Sequence, residues 1–451
     1  MSKLKARHLL HSSGKAIALL VVLLVISLMA GALPTGCGEG QQKAPPAGSG
    51  TPRATVPSTA TPAASPSRAA EVPGVTDTQI ILGTTCTLTG LYGAVYSALP
   101  KAMDAYFKYI NETQGGVCGR EIVLKVEDDQ YDPAVALEAT RKLVEREKVF
   151  FIVGPLVDGI HLPAGAYLNE KGIPDLFTLG GEYRWGGNPD QYPWSVTGTP
   201  DYISEGRLYG RYTAQDFPGK KVGALGENND LGRDGLKGLK EGLEPDKNEL
   251  VSEQFYDPTA VDIRSQLTNL QSAGAEVVVA FASPGFVVQT VKYFERTNWH
   301  PQLIISYASA DPLLFTYAAP ELFEGTISFA SQKQAEPRDD PAVAQHIEIM
   351  GKYGGPTPGG FSIGAQIVAE LTVDVLERVC DKLTRQGVME AVESTRGWHS
   401  GLALDGVDFN LSHTDHFLVD RGRMQRVVIE NGKGRFELFG PLLALGEEQG
   451  E

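Results

Sequence analysis

The chain is poor in cysteine. Its 451 residues hold only Cys37, Cys86, Cys118 and Cys380, and no two of them form a CxxC pair. That spacing removes the usual structural zinc sites. No GxSxG segment occurs, so a nucleophile elbow is not expected, and no histidine is placed by spacing to activate a nucleophile. Basic residues are the minority, 40 Lys and Arg against 55 Asp and Glu, for a net charge of −15. Nucleic-acid binding relies on basic surface that displaces counterions, so no nucleic acid is expected as a partner. Gly232, Gly235 and Gly238 match neither GxGxxG nor a P-loop. His413-Thr414-Asp415-His416 reads as a polar turn rather than a metal site. No catalytic residue, metal or cofactor is assigned, and an enzyme is not expected.

Charge is also missing from Ala16 to Leu33, after a basic start at Lys3, Lys5, Arg7 and Lys15. A basic head, an apolar core and small residues make a secretory signal. With Cys37 just after Pro34-Thr35-Gly36, it resembles a bacterial lipoprotein signal in which that Cys takes the lipid. Pro34 departs from the pattern, which usually has Leu at that place. The alternative is an uncleaved span, which needs about 20 apolar residues. Either way the remainder lies outside the cytoplasmic membrane. Residues 38–74 are rich in Pro, Ser, Thr, Ala and Gly and nearly lack large apolar side chains. Such a stretch reads as a flexible tether.

From Val75 the texture alternates. Gln79–Gly83 is a strand, Thr84–Tyr92 a small-residue loop, and Leu99 to Ile110 shows helical spacing. Glu121–Val126 is a second strand. Asp132-Pro133 opens a helix with an N-cap and Pro at the first position. Phe150–Val153 is a buried strand. The βαβαβ order implies a parallel sheet covered by helices. It returns at Lys221–Leu225, Asp234–Leu243 and Val277–Phe281, where Tyr256-Asp257-Pro258 echoes Tyr131-Asp132-Pro133. About 375 residues in two similar halves suggest two α/β lobes, at roughly 150 residues each. In an oxidising compartment two of Cys86, Cys118 and Cys380 can pair and leave one thiol free.

Several segments together carry a resemblance. Ile81–Gly90, Gly115–Ile122, Glu127–Pro133, Val153-Gly154-Pro155, Tyr192-Pro193-Trp194 and Asn229–Asp234 are similar to the leucine/isoleucine/valine-binding proteins. These are type I periplasmic solute-binding proteins of ABC importers. The resemblance runs from about Val75 to about Phe439. It implies an α/β fold of two Rossmann-like lobes with a three-strand hinge. Lobe one would be 75–198 plus 334–403, and lobe two 199–333 plus 404–440. Residues 1–36 would be the signal, 37–74 the lipidated Cys and tether, and 441–451 a tail. Pro200 and Ser331–Pro337 are hinge candidates. The family's helix order favours Cys118 with Cys380 over Cys118 with Cys86. The implied partners are a small polar solute (an amino acid, amide or related compound), ABC permease subunits and a membrane reached through the lipid anchor. The protein would act as a monomer. A ligand-sensing receptor module of the same fold is the alternative, and an extracellular enzyme the remoter one.

Ligands of parallel α/β sheets bind beyond the carboxyl ends of the strands. The residues expected there are Leu88, Thr89, Val157, Asp158, Gly180, Gly181, Glu182, Tyr202, Asn229, Ser283 and Tyr307. The family holds an amino acid's carboxylate with loop hydroxyls, but the matching positions here are Asp158 and Gly181. The family's acidic partner for an amino group would fall near Tyr307-Ala308, and no acid occupies that place. Asp158 and Glu182 would instead suit an amine or hydroxyls, and tight binding of leucine is not expected.

Overall fold

Short runs of β-branched and aromatic residues, ended by Gly, Pro or Asp, form the strands. In the computed structural model, which describes residues 72–446 apart from Pro337, these strands build two sheets. The signal segment, Cys37 and nearly all of the tether lie outside the described residues. The first sheet is parallel throughout, in the order β2-β1-β3-β4-β5. Its strands are β1 (Gln79–Cys86), β2 (Glu121–Asp128), β3 (Ile152–Val153), β4 (Asp175–Thr178) and β5 (Ser195–Thr197). The register sets Gln79 against Glu121 and Cys86 against Asp128, so the carboxyl ends of β1 and β2 finish together.

The second sheet runs β12-β11-β10-β9-β8-β6-β7. Strands β6 (Lys221–Glu227), β7 (Glu249–Tyr256), β8 (Val277–Phe281), β9 (Gln302–Ile305) and β10 (Ile327–Ala330) are parallel. Strands β11 (Arg421–Glu430) and β12 (Lys433–Ala444) close one edge as an antiparallel hairpin. Every residue of β8 is buried, as its unbroken apolar run requires of a central strand. In each sheet the chain order reverses beside the first strand of the set, β1 or β6. Those are the switch points where a crevice opens.

The chain passes between the sheets at three places. After β5 it enters the helix Tyr202–Asp216, where Tyr209 donates to Ile305 O of the second sheet at 2.9 Å. After β10 it leaves through Ser331–Gln334 for the helices Pro341–Tyr353 and Gly360–Arg378, which pack on the helix Ala98–Gln114. It returns between Ala403 and Asp420 to β11. Gln332 pairs with Ala403 and Thr197 with Phe417, so the crossings lie side by side.

Local signals hold where a side chain supplies the missing partner. Asp132 accepts from the backbone N–H groups of Ala134 and Val135, with Pro133 at the first helical position. Several boundaries differ from expectation: the strand placed at Phe150–Val153 is paired only over Ile152–Val153, and the helix placed at Asp234–Leu243 runs Asp230–Gly242. The loop placed at Thr84–Tyr92 is taken over at both ends, because β1 stays paired through Cys86 and a short helix covers Gly90–Tyr96. The tail placed at 441 begins later. Strand β12 continues to Ala444, paired with Arg421, and Leu445 is buried. A register shift between Gly422 and Met424 lets the hairpin extend past its irregularity. Cys118 and Cys380 form a disulfide with Cα atoms 5.3 Å apart, and Cys86 is a buried free thiol.

Candidate ligand-binding site

A cavity of about 120 Å³ lies where the two sheets face each other. Leu156, Asp158, Leu179 and Gly180 reach it from the loops after β3 and β4. Tyr202, Tyr307, Ala308 and Asp311 reach it from the second sheet's side. The crossing segments supply Thr199, Pro200, Ser331, Gln332 and Gln334, and Tyr96, Leu99 and Phe361 close it from the first sheet's helices. The wall is mostly apolar and aromatic and contains no Lys, Arg or His.

Asp158 is its main polar feature. The side chain is 3% exposed, and Oδ1 accepts a 2.6 Å hydrogen bond from the Tyr202 hydroxyl. Burial pushes this carboxyl up to about 7; the Tyr202 bond opposes the shift, and the charges of Glu227 and Asp230 add to it. The loop that presents Asp158 needs glycine beside it. Gly180 sits at φ +142°, and a Cβ there would lie 2.5 Å from Val157 Cγ2 and 2.7 Å from Asp158 Oδ1. Gly181 backs the wall: its Cβ would lie 2.4 Å from Pro200 O and 2.7 Å from the Tyr307 hydroxyl. Tyr307 stacks on Tyr202 with centroids 5.8 Å apart and donates to Pro200 O at 2.8 Å. Behind them, buried Glu205 accepts from Tyr209 Oη, Ser306 Oγ and the Tyr307 N–H, which fixes the Tyr307 backbone. Burial lifts the Glu205 carboxyl to about 7 against those three bonds.

A second polar layer joins the sheets beside the cavity. Glu227, at the end of β6 and fully buried, accepts from Tyr131, Tyr256, Ser283 and Asn229 at 2.8–3.0 Å. The two echoed Tyr-Asp-Pro segments therefore place their tyrosines on one carboxylate, Tyr131 from the first sheet and Tyr256 from the second. Tyr92 donates across to Pro258 O, and Arg184 pairs with Asp230.

Of the residues expected at the site, Asp158, Gly180, Tyr202 and Tyr307 line the cavity. Glu182 does not. It is fully buried within its own loop, where it accepts from the Gly159 N–H and the Trp185 indole, and burial raises its carboxyl. Asn229 and Ser283 serve Glu227 instead of the cavity, and Asn229 also caps the helix Asp230–Gly242. Leu88 N–H and the Thr89 hydroxyl are taken by Asp128. Val157 is buried behind Gly180. Tyr96, Asp311, Phe361, Gln332 and Gln334 were not anticipated. The strand-end rule points to the first residues after strands, whereas Tyr96 ends the short helix Gly90–Tyr96, Phe361 begins the helix Gly360–Arg378, Gln332 and Gln334 lie in a crossing segment, and Asp311 lies beyond the turn Tyr307–Ser309 that follows β9. Gly359-Gly360 ahead of a long apolar helical pattern was the available signal for Phe361.

The geometry is that of two sheets enclosing a small cavity at their carboxyl ends. A family profile described as periplasmic binding protein matches residues 79–433. The chain belongs to that family. Among curated periplasmic binding proteins it is similar to Leu/Ile/Val-binding protein homolog 3 of Brucella melitensis, at 28% identity over 44% of this chain and 53% of that protein. It is also similar to Leu/Ile/Val-binding protein homolog 7 of Brucella abortus, at 24% over 59% and 69%. The chain thus spans about half the length of the first of these relatives. Among solved structures, a branched-chain amino acid ABC transporter protein from Thermus thermophilus with bound valine superposes with a TM-score of 0.70, at 20% identity over 81% of this chain and 96% of that one. A solute binding protein from R. palustris in complex with benzoate gives 0.69, at 19% over 81% and 97%. The fold is therefore that of type I periplasmic binding proteins. The matched family is one of binding proteins. Family membership also places it outside the cytoplasm. Among the described residues no helix is long and apolar enough to cross a membrane.

Proposed function

We propose that this protein is a lipid-anchored solute-binding component of an ABC importer. Cys37 would carry the lipid, and the Pro/Ser/Thr/Ala-rich stretch after it would hold the folded part off the membrane. A small solute enters the cavity between the sheets, the lobes close by bending at the crossing segments near Pro200 and Ser331, and the closed form docks on the permease as a monomer. The observation that carries this reading is the cavity itself, with the Asp158–Tyr202 pair at its polar end. At roughly 30 Å³ per water, its 120 Å³ has room for about four waters, so it admits one compact solute. The valine and benzoate named for the structural neighbours are solutes of that scale.

The position that matches the family's carboxylate-binding hydroxyl is occupied by Asp158. Each lost hydrogen bond to a charged group is worth about 1.5–3 kcal/mol, so leucine is expected to bind weakly. A thermal-shift screen of the full chain against amino acids, amides, amines, aromatic acids and sugars tests the reading. A solute at a hundred times its Kd stabilises by about 2.7 kcal/mol. A clear shift with one chemical class, and little with leucine, is expected. No shift with any class of small solute would overturn it.

A further inference from the structure

We infer that the solute is a compact organic cation, an amine with an apolar or aromatic body, bound with its nitrogen on Asp158. This deepens the solute-binding reading and rests on it. Three independent features of the wall converge on the same chemistry.

The first is an unanswered acceptor. Asp158 is buried, and among the described residues Tyr202 is the only side chain that donates to its carboxylate. The lining offers no Lys, Arg or His to balance it. A buried carboxylate without a counter-charge is costly, and a ligand cation supplies one. The second is that the wall's amide and phenol donors are each already engaged with a protein acceptor. Gln332 Nε2 donates to Gly360 O, Tyr307 Oη to Pro200 O, and Gln334 Nε2 to Gln425 Oε1. Gln334 Oε1 is buried and accepts no hydrogen bond among the described residues. The other acid in the wall, Asp311, is spent on the N–H groups of Leu313 and Phe361. Apart from the second N–H of each amide and hydroxyls that serve either role, what remains open is acceptor-rich and carries no cation. A ligand carboxylate would meet Asp158 and no cation. The third is the aromatic lining. Tyr96, Tyr202, Tyr307 and Phe361 present ring surface to the same space, and ring faces attract cations.

The titratable groups whose charge acts on Asp158, besides its partner Tyr202, are phenols and acids from the surrounding elements: Tyr92, Tyr96, Tyr131, Tyr307, Glu182, Glu227 and Asp230. The adjacent Arg184 is committed to Asp230 and Glu182. A cation placed here holds Asp158 ionised and so expels the proton that burial retains near neutral pH. Amine affinity then rises from pH 6 to pH 8. A carboxylate ligand would show the opposite slope.

The test is calorimetry of the full chain with phenethylamine, phenylacetamide and phenylacetate, which share one body and differ in the head group. The amine is expected to bind at least tenfold more tightly than the other two, more tightly at pH 8 than at pH 6, and to lose at least tenfold in Asp158→Asn. That variant is near-isosteric, and the pH series on the unmodified chain stands without it. Equal or tighter binding of the acid or the amide, or affinity that falls with pH, overturns the inference and leaves the solute-binding reading intact. If none of the three binds while the broad screen finds an anionic solute, the inference also fails. If no small solute binds at all, the solute-binding reading itself fails.

Discussion

Burial of carboxyl groups sets the behaviour of single residues here. Asp158 and Glu205 are each pushed up to about 7, and Asp129 and Asp234 to about 6, in every case chiefly by burial. Unfolded carboxyls titrate near 4. Between about pH 4 and pH 7 the folded chain therefore binds more protons than the unfolded chain, and stability falls as pH rises through that window. The melting temperature is expected to be several degrees higher at pH 5 than at pH 8, with a shallower slope in Glu205→Gln. A melting temperature that rises with pH across this range would contradict the assignment. The sequence marked Asp158 because it stands in a loop after a buried strand. It marked Glu182 for the same reason. Nothing in the sequence separates a carboxylate aimed at a cavity from one turned onto the Gly159 N–H and the Trp185 indole.

Elements were more legible than contacts. Asp132-Pro133 announced a capped helix and Val277–Phe281 a strand, because capping and apolar runs are local. Pairings between distant segments were not local, and the long reach of β12 shows this: its end is set by pairing with Arg421, not by its own composition. The disulfide is the strongest such link. It ties the turn before β2 to the end of the helix Gly360–Arg378, across 262 residues of sequence. Loops of that length lie at the upper end of disulfide stabilisation, typically about 2–4 kcal/mol. Replacing Cys118 and Cys380 together by Ser should lower unfolding free energy by about that amount, measured by chemical denaturation. Peptide mapping without reductant should recover Cys118 joined to Cys380, with Cys86 blocked by a thiol reagent only after unfolding. Free thiols at all three positions would refute the link.

At the scale of the whole molecule, the two sheets are held face to face by polar contacts that surround the cavity. Tyr131 and Tyr256 meet on Glu227, Arg184 meets Asp230, Tyr92 meets Pro258 O, and Asp311 reaches the start of the helix Gly360–Arg378. The echoed Tyr-Asp-Pro segments were visible in the sequence as a repeat, but their convergence on one carboxylate required the fold. The central claim is that the enclosed cavity is the solute site. Calorimetric titration of the wild-type chain and of Ala308→Trp, with the solute that gives the largest thermal shift, tests it most directly. Ala308 is a half-buried wall residue, so the indole fills the cavity while most of the core is untouched. The account predicts one-to-one binding to the wild type and at least a hundredfold loss in a variant that melts normally. Undiminished binding to a normally folded Ala308→Trp would place the solute elsewhere and contradict it.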